Sequence, residues 1–421
     1  MPTAVKSFSK RLVLLLAALA LAAPAVIAQE SEPAQVQVQD SLRYSVSGKV
    51  RDAQSGSSLQ FVNVMVPDRH YATVTNADGE FTIKSDIPIT SLNFSLLGYK
   101  TLSVPVSDSR MKVALEPDAL RLAPAVVVAG EPRAIVREAI ERIRDNYMDR
   151  DELLKCFYRE TLQKRQRYIY ISEAVARIFK TSYAYGVYKD AAALEKSRVL
   201  LSQRKSDTLS VKFLGGPSQA ADFDVVKNPE ILLSNEELTH YAMKMGSPVM
   251  INDRLNYAVE ISPASEVDYP LYFGTLFIDA ESLAFTRIEL SLDMRDEQKA
   301  TRSVLVSKPA GLRFHPKEMS VVIDYRLESG RWRLNYFRSI IRFACDWRKR
   351  LLHTNYTSVN ELIVTDKYPE AIPIPRKEQF RRRDALSEKA AFFADPDFWK
   401  DYNIIEPSTS LEHAVDRLMK R

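Results

Sequence analysis

Apolar and polar positions change rhythm along these 421 residues, and the rhythm divides the chain into four stretches. Residues 12–23 are apolar throughout, preceded by Lys6, Lys10 and Arg11 and closed by Pro24. Such a run falls short of the ~20 residues that span a bilayer. With its positive flank and the small-residue end Val26-Ile27-Ala28, it reads as an export signal cleaved before Gln29. Residues 29–41, rich in Gln, Glu, Ser and Asp, read as a tether. From residue 42 to 129 the period is two. Short alternating runs over 44–50, 59–66, 74–75, 81–83, 92–96, 101–106 and 111–115 predict strands. Turn clusters separate them, notably Asp52-Ala-Gln-Ser-Gly56 and Asn76-Ala-Asp78-Gly79. Asp-Gly between alternating runs signals a hairpin, because Gly accepts positive φ without a Cβ clash. No helical period interrupts this stretch, so it predicts a small two-layer β-sandwich.

Residues 130–421 mix both periods. Pro132 suits a first helical turn, and Ile135, Ala139, Ile140, Ile143 and Tyr147 follow at helical spacing. Strands are predicted at 156–160 and 168–171, paired across the charged turn 163–167. More are predicted at 271–278, 284–292, 300–306, 319–325 and 332–343. Between 190 and 245 only the Gly215-Gly216-Pro217 break and a helix near 235–245 stand out, and a last helix is predicted over 411–420. One helix followed by many strands on short turns predicts a larger α+β domain with a curved antiparallel sheet. The expected fold class is therefore β-rich with two domains, divided as leader 1–28, tether 29–41, sandwich 42–129 and α+β domain 130–421.

Ser47-Gly48-Lys49-Val50, Asp52, Phe61-Val62-Asn63-Val64, Thr75-Asn76, Asp78-Gly79, Phe81 and Leu97-Gly98-Tyr99 fill a pattern over about 70 residues. It resembles the carboxypeptidase regulatory-like domain, a transthyretin-like (prealbumin-like) sandwich common in Gram-negative envelope proteins. The resemblance implies a fold and a compartment, and no peptidase activity, since that domain is an appendage to the catalytic one. Phe273-Gly-Thr-Leu-Phe-Ile278-Asp279, with Phe285, Arg287 and Glu289, resembles the half-barrel of outer-membrane lipoprotein carriers, which implies an apolar groove. Asp397-Phe398-Trp399-Lys400-Asp401-Tyr402-Asn403-Ile404-Ile405 and Tyr158-Arg159-Glu160 resemble envelope proteins that pair such a tail with the same sandwich.

Composition narrows the classes. With 46% hydrophobic and 27% charged residues, the chain is not of the disordered kind. No apolar run of ~20 residues follows the leader, which excludes a polytopic helical membrane protein. Removing the three charges of residues 1–28 lowers the net charge from +5 to +2, too little for a nucleic-acid binder. Cys156 and Cys345 exclude a disulfide framework and a Cys-rich zinc site; they form either one bridge or two separate buried thiols. No Cys adjoins the cleavage point, so N-terminal lipid attachment is not expected.

Candidate chemistry is sparse. No nucleophile-elbow, phosphate-loop, dinucleotide or H-E-x-x-H pattern occurs. His315-Pro316-Lys317-Glu318 matches the H-x-x-E pair of metallocarboxypeptidases, but Pro316 and Gly311 place it in a turn, and neither a metal nor a cofactor is assigned. Two basic clusters, Arg348-Lys349-Arg350 and Arg381-Arg382-Arg383, are candidate contacts for anionic envelope material. The alternative is a solvated face balanced by Glu378, Asp384 and Glu388. Tyr183, Tyr185 and Tyr188 form either a sugar platform or core. The resulting expectation is an exported protein of the periplasm or outer membrane, membrane-peripheral at most. It acts without catalysis, binding or scaffolding an envelope protein, a lipid or a glycan. The competing reading is a metallopeptidase-like hydrolase.

Overall fold

The computed structural model describes residues 42–118, 131–207, 212–213, 215–347, 353–381, 384–389 and 398–419. The leader and tether, and Arg348, Lys349, Arg350, Arg382 and Arg383, lie outside the described residues.

The alternating runs of the first stretch build two facing layers. β1 (Tyr44–Asp52) lies between β4 (Glu80–Ser85), antiparallel to it, and β7 (Arg110–Leu115), parallel to it. The second layer runs β3 (Ala72–Val74), β2 (Asn63–Met65), β5 (Ser91–Ser95), β6 (Leu102–Pro105). Val50, Val64, Phe81, Ile83, Leu92 and Phe94 fill the space between. Strict alternation explains why: in β4 every second residue, Phe81, Ile83 and Ser85, is buried. The expected strand 59–66 survives only as β2, because Phe61 takes φ +63° and leaves the extended path. The family-like marker residues hold turns. Asp52 accepts from Gln54 N (2.8 Å), Ser55 N (2.6 Å) and the Tyr99 hydroxyl (2.8 Å). Gly79, at φ +76°, brings its backbone so close to Val50 that a Cβ would stand 2.5 Å from the Val50 carbonyl oxygen.

The larger sheet has eleven strands, all paired antiparallel. They are β8 (Glu152–Lys164), β9 (Arg167–Lys180), β10 (Ala191–Leu201), β12 (Tyr241–Met245), β13 (Val249–Ile251) and β14 (Arg254–Pro263). β15 (Tyr272–Asp279), β16 (Phe285–Leu292), β18 (Leu312–Glu328), β19 (Arg331–Trp347) and β20 (Thr354–Lys367) complete it. The order is β10-β9-β8-β20-β19-β18-β16-β15-β14-β12, with β13 also on β14. Hairpins make most joins; β20, which follows β19 directly, closes the gap between β19 and β8. A separate ribbon pairs β11 (Lys212–Phe213) with β17 (Leu305–Ser307).

Both faces of the central strands are covered. One face, with Tyr158, Phe337, Leu362, Val321 and Ile323, packs under the helices Pro132–Glu141 and Pro217–Asp222. The other, with Phe157, Val175, Tyr336 and Ile363, receives Val74 and Phe61 of the sandwich together with Phe398, Trp399, Ile404 and Ile405 of the tail. The tail cements the two parts. Asn403 bonds the Lys84 backbone in both directions (2.7 and 2.9 Å), Thr73 donates to the Ile404 carbonyl (2.8 Å), and Asp78 accepts from Thr409 N (2.7 Å) where the helix Thr409–Met419 begins.

Three expectations are corrected. Of the strand expected over 300–306 only 305–306 belong to one, β17; Asp296 caps a helix, Glu297–Val304, that buries Ala300 and Val304 four residues apart. The helix near 235–245 is one turn, Asn235–Leu238, capped by Ser234, and the remainder is the edge strand β12. His315-Pro316 is no turn but lies within β18, where the ladder shifts register between Pro316 and Glu318; proline has no N–H to donate there. Among the described residues no helix is long and apolar enough to cross a membrane.

Candidate functional site: an apolar pocket with a polar wall

Under the covering helices lies a cavity of about 220 Å³. Its floor is side chains that alternation sends to one face of three neighbouring strands: Met319 of β18, Phe337, Ser339 and Ile341 of β19, and Asn360 of β20. Its roof is Ala220 of the helix Pro217–Asp222, Phe223 that follows it, and Val304 of the helix Glu297–Val304. The Gly215-Gly216-Pro217 break sets how closely that roof approaches. Gly216 has φ +91°, and a Cβ on it would stand 2.6 Å from the Phe380 ring. This bare backbone lets Gly216 N donate to the Tyr158 hydroxyl at 2.8 Å.

One wall is polar. Tyr158 donates to Glu160 Oε2 (2.9 Å), Tyr170 donates to Glu160 Oε1, and Asn360 Nδ2 donates to Ser339 Oγ (3.1 Å). Burial pushes the Glu160 carboxyl above its usual range, with the two phenol donors opposing. Gln219 Oε1, in the lining, is buried with no hydrogen-bond partner. An acceptor in that state costs ~1–3 kcal/mol and calls for a donor. A dry apolar cavity of ~150 Å³ holds a benzene, and drug-sized ligands need ~300 Å³ or more. The pocket therefore suits one ring or the end of one alkyl chain.

A second enclosed group of charges lies nearby. Lys180 contacts Asp224 (3.0 Å) and Asp190 (3.4 Å), and Lys227 contacts Asp190 (2.6 Å). Tyr183 and Tyr325 each donate to Asp224, at 2.7 and 2.9 Å. Burial and the neighbouring Lys180 push Lys227 down to about 8. Two cations against two anions make the set self-compensating, and the Lys227 side chain is wholly buried, so it reads as a structural ion cluster.

The residues singled out by sequence are scattered. Arg381 lines a cleft of about 500 Å³ beside Asp190, Asp222 and Asp384, so its surroundings are not cationic. Tyr183 is buried in the ion cluster, whereas Tyr185 and Tyr188 are exposed, so the three form no platform. Cys156 and Cys345 are free thiols in different core clusters, and burial pushes each up to about 12, which makes them poor nucleophiles. His315 and Glu318 do not converge: Glu318 pairs with Arg342 (2.5 Å), while His315 turns toward Glu297 (2.8 Å). Sequence reading missed Gln219 and Ser339, which belong to no local motif.

Comparison with known proteins agrees with the first part of the chain. Residues 46–128 match the family model of the CarboxypepD_reg-like domain. No curated protein matches the sequence. Three solved structures overlay about half of the chain. One, from Vibrio parahaemolyticus and proposed to be an outer membrane lipoprotein-sorting protein domain, is 12% identical, covers 56% of this chain and 93% of its own, and has TM-score 0.25. A DUF1329 family protein from Desulfovibrio piger is 11% identical, covers 56% and 94%, and has TM-score 0.23. A LolA superfamily protein from Nitrosomonas europaea is 10% identical, covers 59% and 100%, and has TM-score 0.19.

Proposed function

We propose that this chain is an exported cell-envelope protein that binds the apolar end of a small amphiphile in the pocket behind Tyr158, without making or breaking bonds in it. The observation that carries the proposal is the combination in that pocket of the apolar Met319, Phe337 and Ile341, the polar Ser339 and Asn360 beside them, and the unpartnered acceptor Gln219 Oε1. The ligand places a ring or chain end against Phe337, Met319 and Ile341 and a hydroxyl or amide N–H on Gln219. A binding role is favoured over hydrolysis because the carboxyl bonded to the lining Tyr158, that of Glu160, is held by two phenols, and no nucleophile–base pair lines the cavity among the described residues. Export rests on the leader pattern of residues 1–28. The sandwich and tail serve as a brace on the opposite face of the sheet.

The test is a calorimetric titration of the purified chain with the reporter 4-ethylphenol, one apolar ring carrying a hydroxyl donor. Saturable uptake of one equivalent is expected. Ile341→Trp, which fills the floor, and Ser303→Leu, which fills from the roof, should each weaken it at least tenfold, while Leu327→Trp on the exposed surface should not. No uptake by the wild type, or uptake indifferent to both filling changes in folded protein, overturns the proposal.

A further inference from the structure

At one end of the β18–β19–β20 ladder, three side chains far apart in sequence meet. His315 and Asp346 are diagonal neighbours across β18 and β19, where Arg313 pairs with Asp346 and His315 with Ala344. His353 immediately precedes β20, whose first residue Thr354 pairs with Cys345, so it comes opposite Asp346. Their ligating atoms all lie within 4.8 Å of one another. His353 Nδ1 is 2.9 Å from Asp346 Oδ2, and His315 Nε2 is 3.5 Å from the same oxygen. The opposite face of these strands carries Phe314, Phe343, Cys345 and Tyr356 in an apolar core.

The proton bookkeeping of His315 gives the cluster its meaning. Its Nδ1 lies 2.8 Å from Glu297 Oε1, and a carboxylate accepts, so Nδ1 carries the hydrogen. Nε2 is turned toward Asp346 Oδ2, the same oxygen that His353 Nδ1 approaches. His315 Nε2 and the other carboxylate oxygen, Asp346 Oδ1, are buried without hydrogen-bond partners, and Asp346 is only 8% exposed. A cation held by the two imidazoles and the carboxylate gives both atoms a partner. Tetrahedral zinc with ~2.0–2.1 Å bonds separates its ligand atoms by about 3.3 Å, close to the spacing found here. Glu297 on the far nitrogen of His315 is the outer carboxylate that fixes a metal-binding imidazole.

We propose that His315, Asp346 and His353 form a binding site for a divalent transition metal of the zinc type, with Glu297 orienting His315. Three protein ligands leave at least one coordination position open to solvent, reached past His353, which is more than half exposed. The H-x-x-E pair suggested by sequence is not the site; His315 is shared, and its partners come from β19 and the start of β20. Binding there also fastens the helix Glu297–Val304, which roofs the apolar pocket, to the sheet.

The experiment is calorimetric titration of the chelator-stripped full chain with Zn²⁺, with metal content measured after dialysis. One equivalent is expected to bind and to survive dialysis. His315→Ala and His353→Ala should abolish it, Asp346→Asn should weaken it at least tenfold, and Glu297→Gln should weaken it ~10- to 100-fold without changing the stoichiometry. His240→Ala and His413→Ala, outside the cluster, should bind as the wild type does. Circular dichroism of the metal-free variants verifies folding. No stoichiometric zinc on the wild type, or equal affinity in folded His315→Ala and His353→Ala, overturns the assignment. A filled or empty metal site leaves the reporter titration of the apolar pocket as a separate result.

Discussion

Glu173 is 1% exposed, and it holds two guanidiniums at once: Arg159 Nε at 2.7 Å and Arg198 Nε at 2.7 Å. Trp399 Nε1 donates to the same carboxylate at 3.2 Å, and Arg159 reaches on to the Ile405 carbonyl at 2.7 Å. Burial raises this carboxyl, and the two arginines outweigh it, so it stands below its ordinary value of 4.5. The sign follows: Glu173 stabilises the fold above pH ~4.5 and ceases to do so as pH falls below that. Glu173→Gln leaves two buried cations uncompensated and should cost ~3–5 kcal/mol in urea unfolding at pH 7. The loss should shrink as the pH falls below ~4.5, as the carboxylate of the wild type gives up its own contribution. Gly216→Ala is a second residue-scale prediction. It meets both positive φ and the Phe380 ring, and should cost ~1–3 kcal/mol and reduce reporter uptake.

At the scale of elements, the tail is a wedge between two sheets. Trp399 stacks edge-on against Phe157 (5.6 Å) and Phe398 (4.5 Å), and its neighbours reach the sandwich through Lys84. Trp399→Ala should cost ~3–5 kcal/mol and loosen sandwich and sheet together, read as one shifted unfolding transition. What sequence made legible follows from this arrangement. The sandwich strands were readable because each shows one face to its core, so period two survives, as in Glu80–Ser85. β8 and β9 were recognised only over parts of their length, because burial on both faces erases alternation: Phe157 and Tyr158 are both fully buried, one under the tail and one under the helices. The segment 300–306 misled because Ala300 and Val304 serve a helix stripe as readily as a strand. The pocket was illegible: Tyr158 came from one motif, but Gln219, Ser339 and Asn360 are joined only by β20 crossing back between β19 and β8.

For the whole molecule, sandwich and sheet also meet through charge. His70 of the sandwich contacts Glu328, which Arg326 (3.1 Å), Arg333 and Lys367 (3.3 Å) share from the sheet side. Partial burial and then Lys367, Arg333 and Arg326 push His70 down from 6.5 to about 4, with the Asp366 carboxylate opposing. A depressed histidine favours folding above pH 6.5 and loses that contribution as pH falls toward 4. Unfolding followed over that range should therefore weaken with acid, and His70→Gln should flatten the profile.

The central claim is that the large sheet keeps a small apolar pocket for a guest. Native mass spectrometry after incubation with 4-ethylphenol tests it most directly, with wild type and Ile341→Trp side by side. A one-to-one adduct on the wild type that is absent from the filled variant is the predicted result. Equal adducts on both, or none on either while both remain folded, would contradict it.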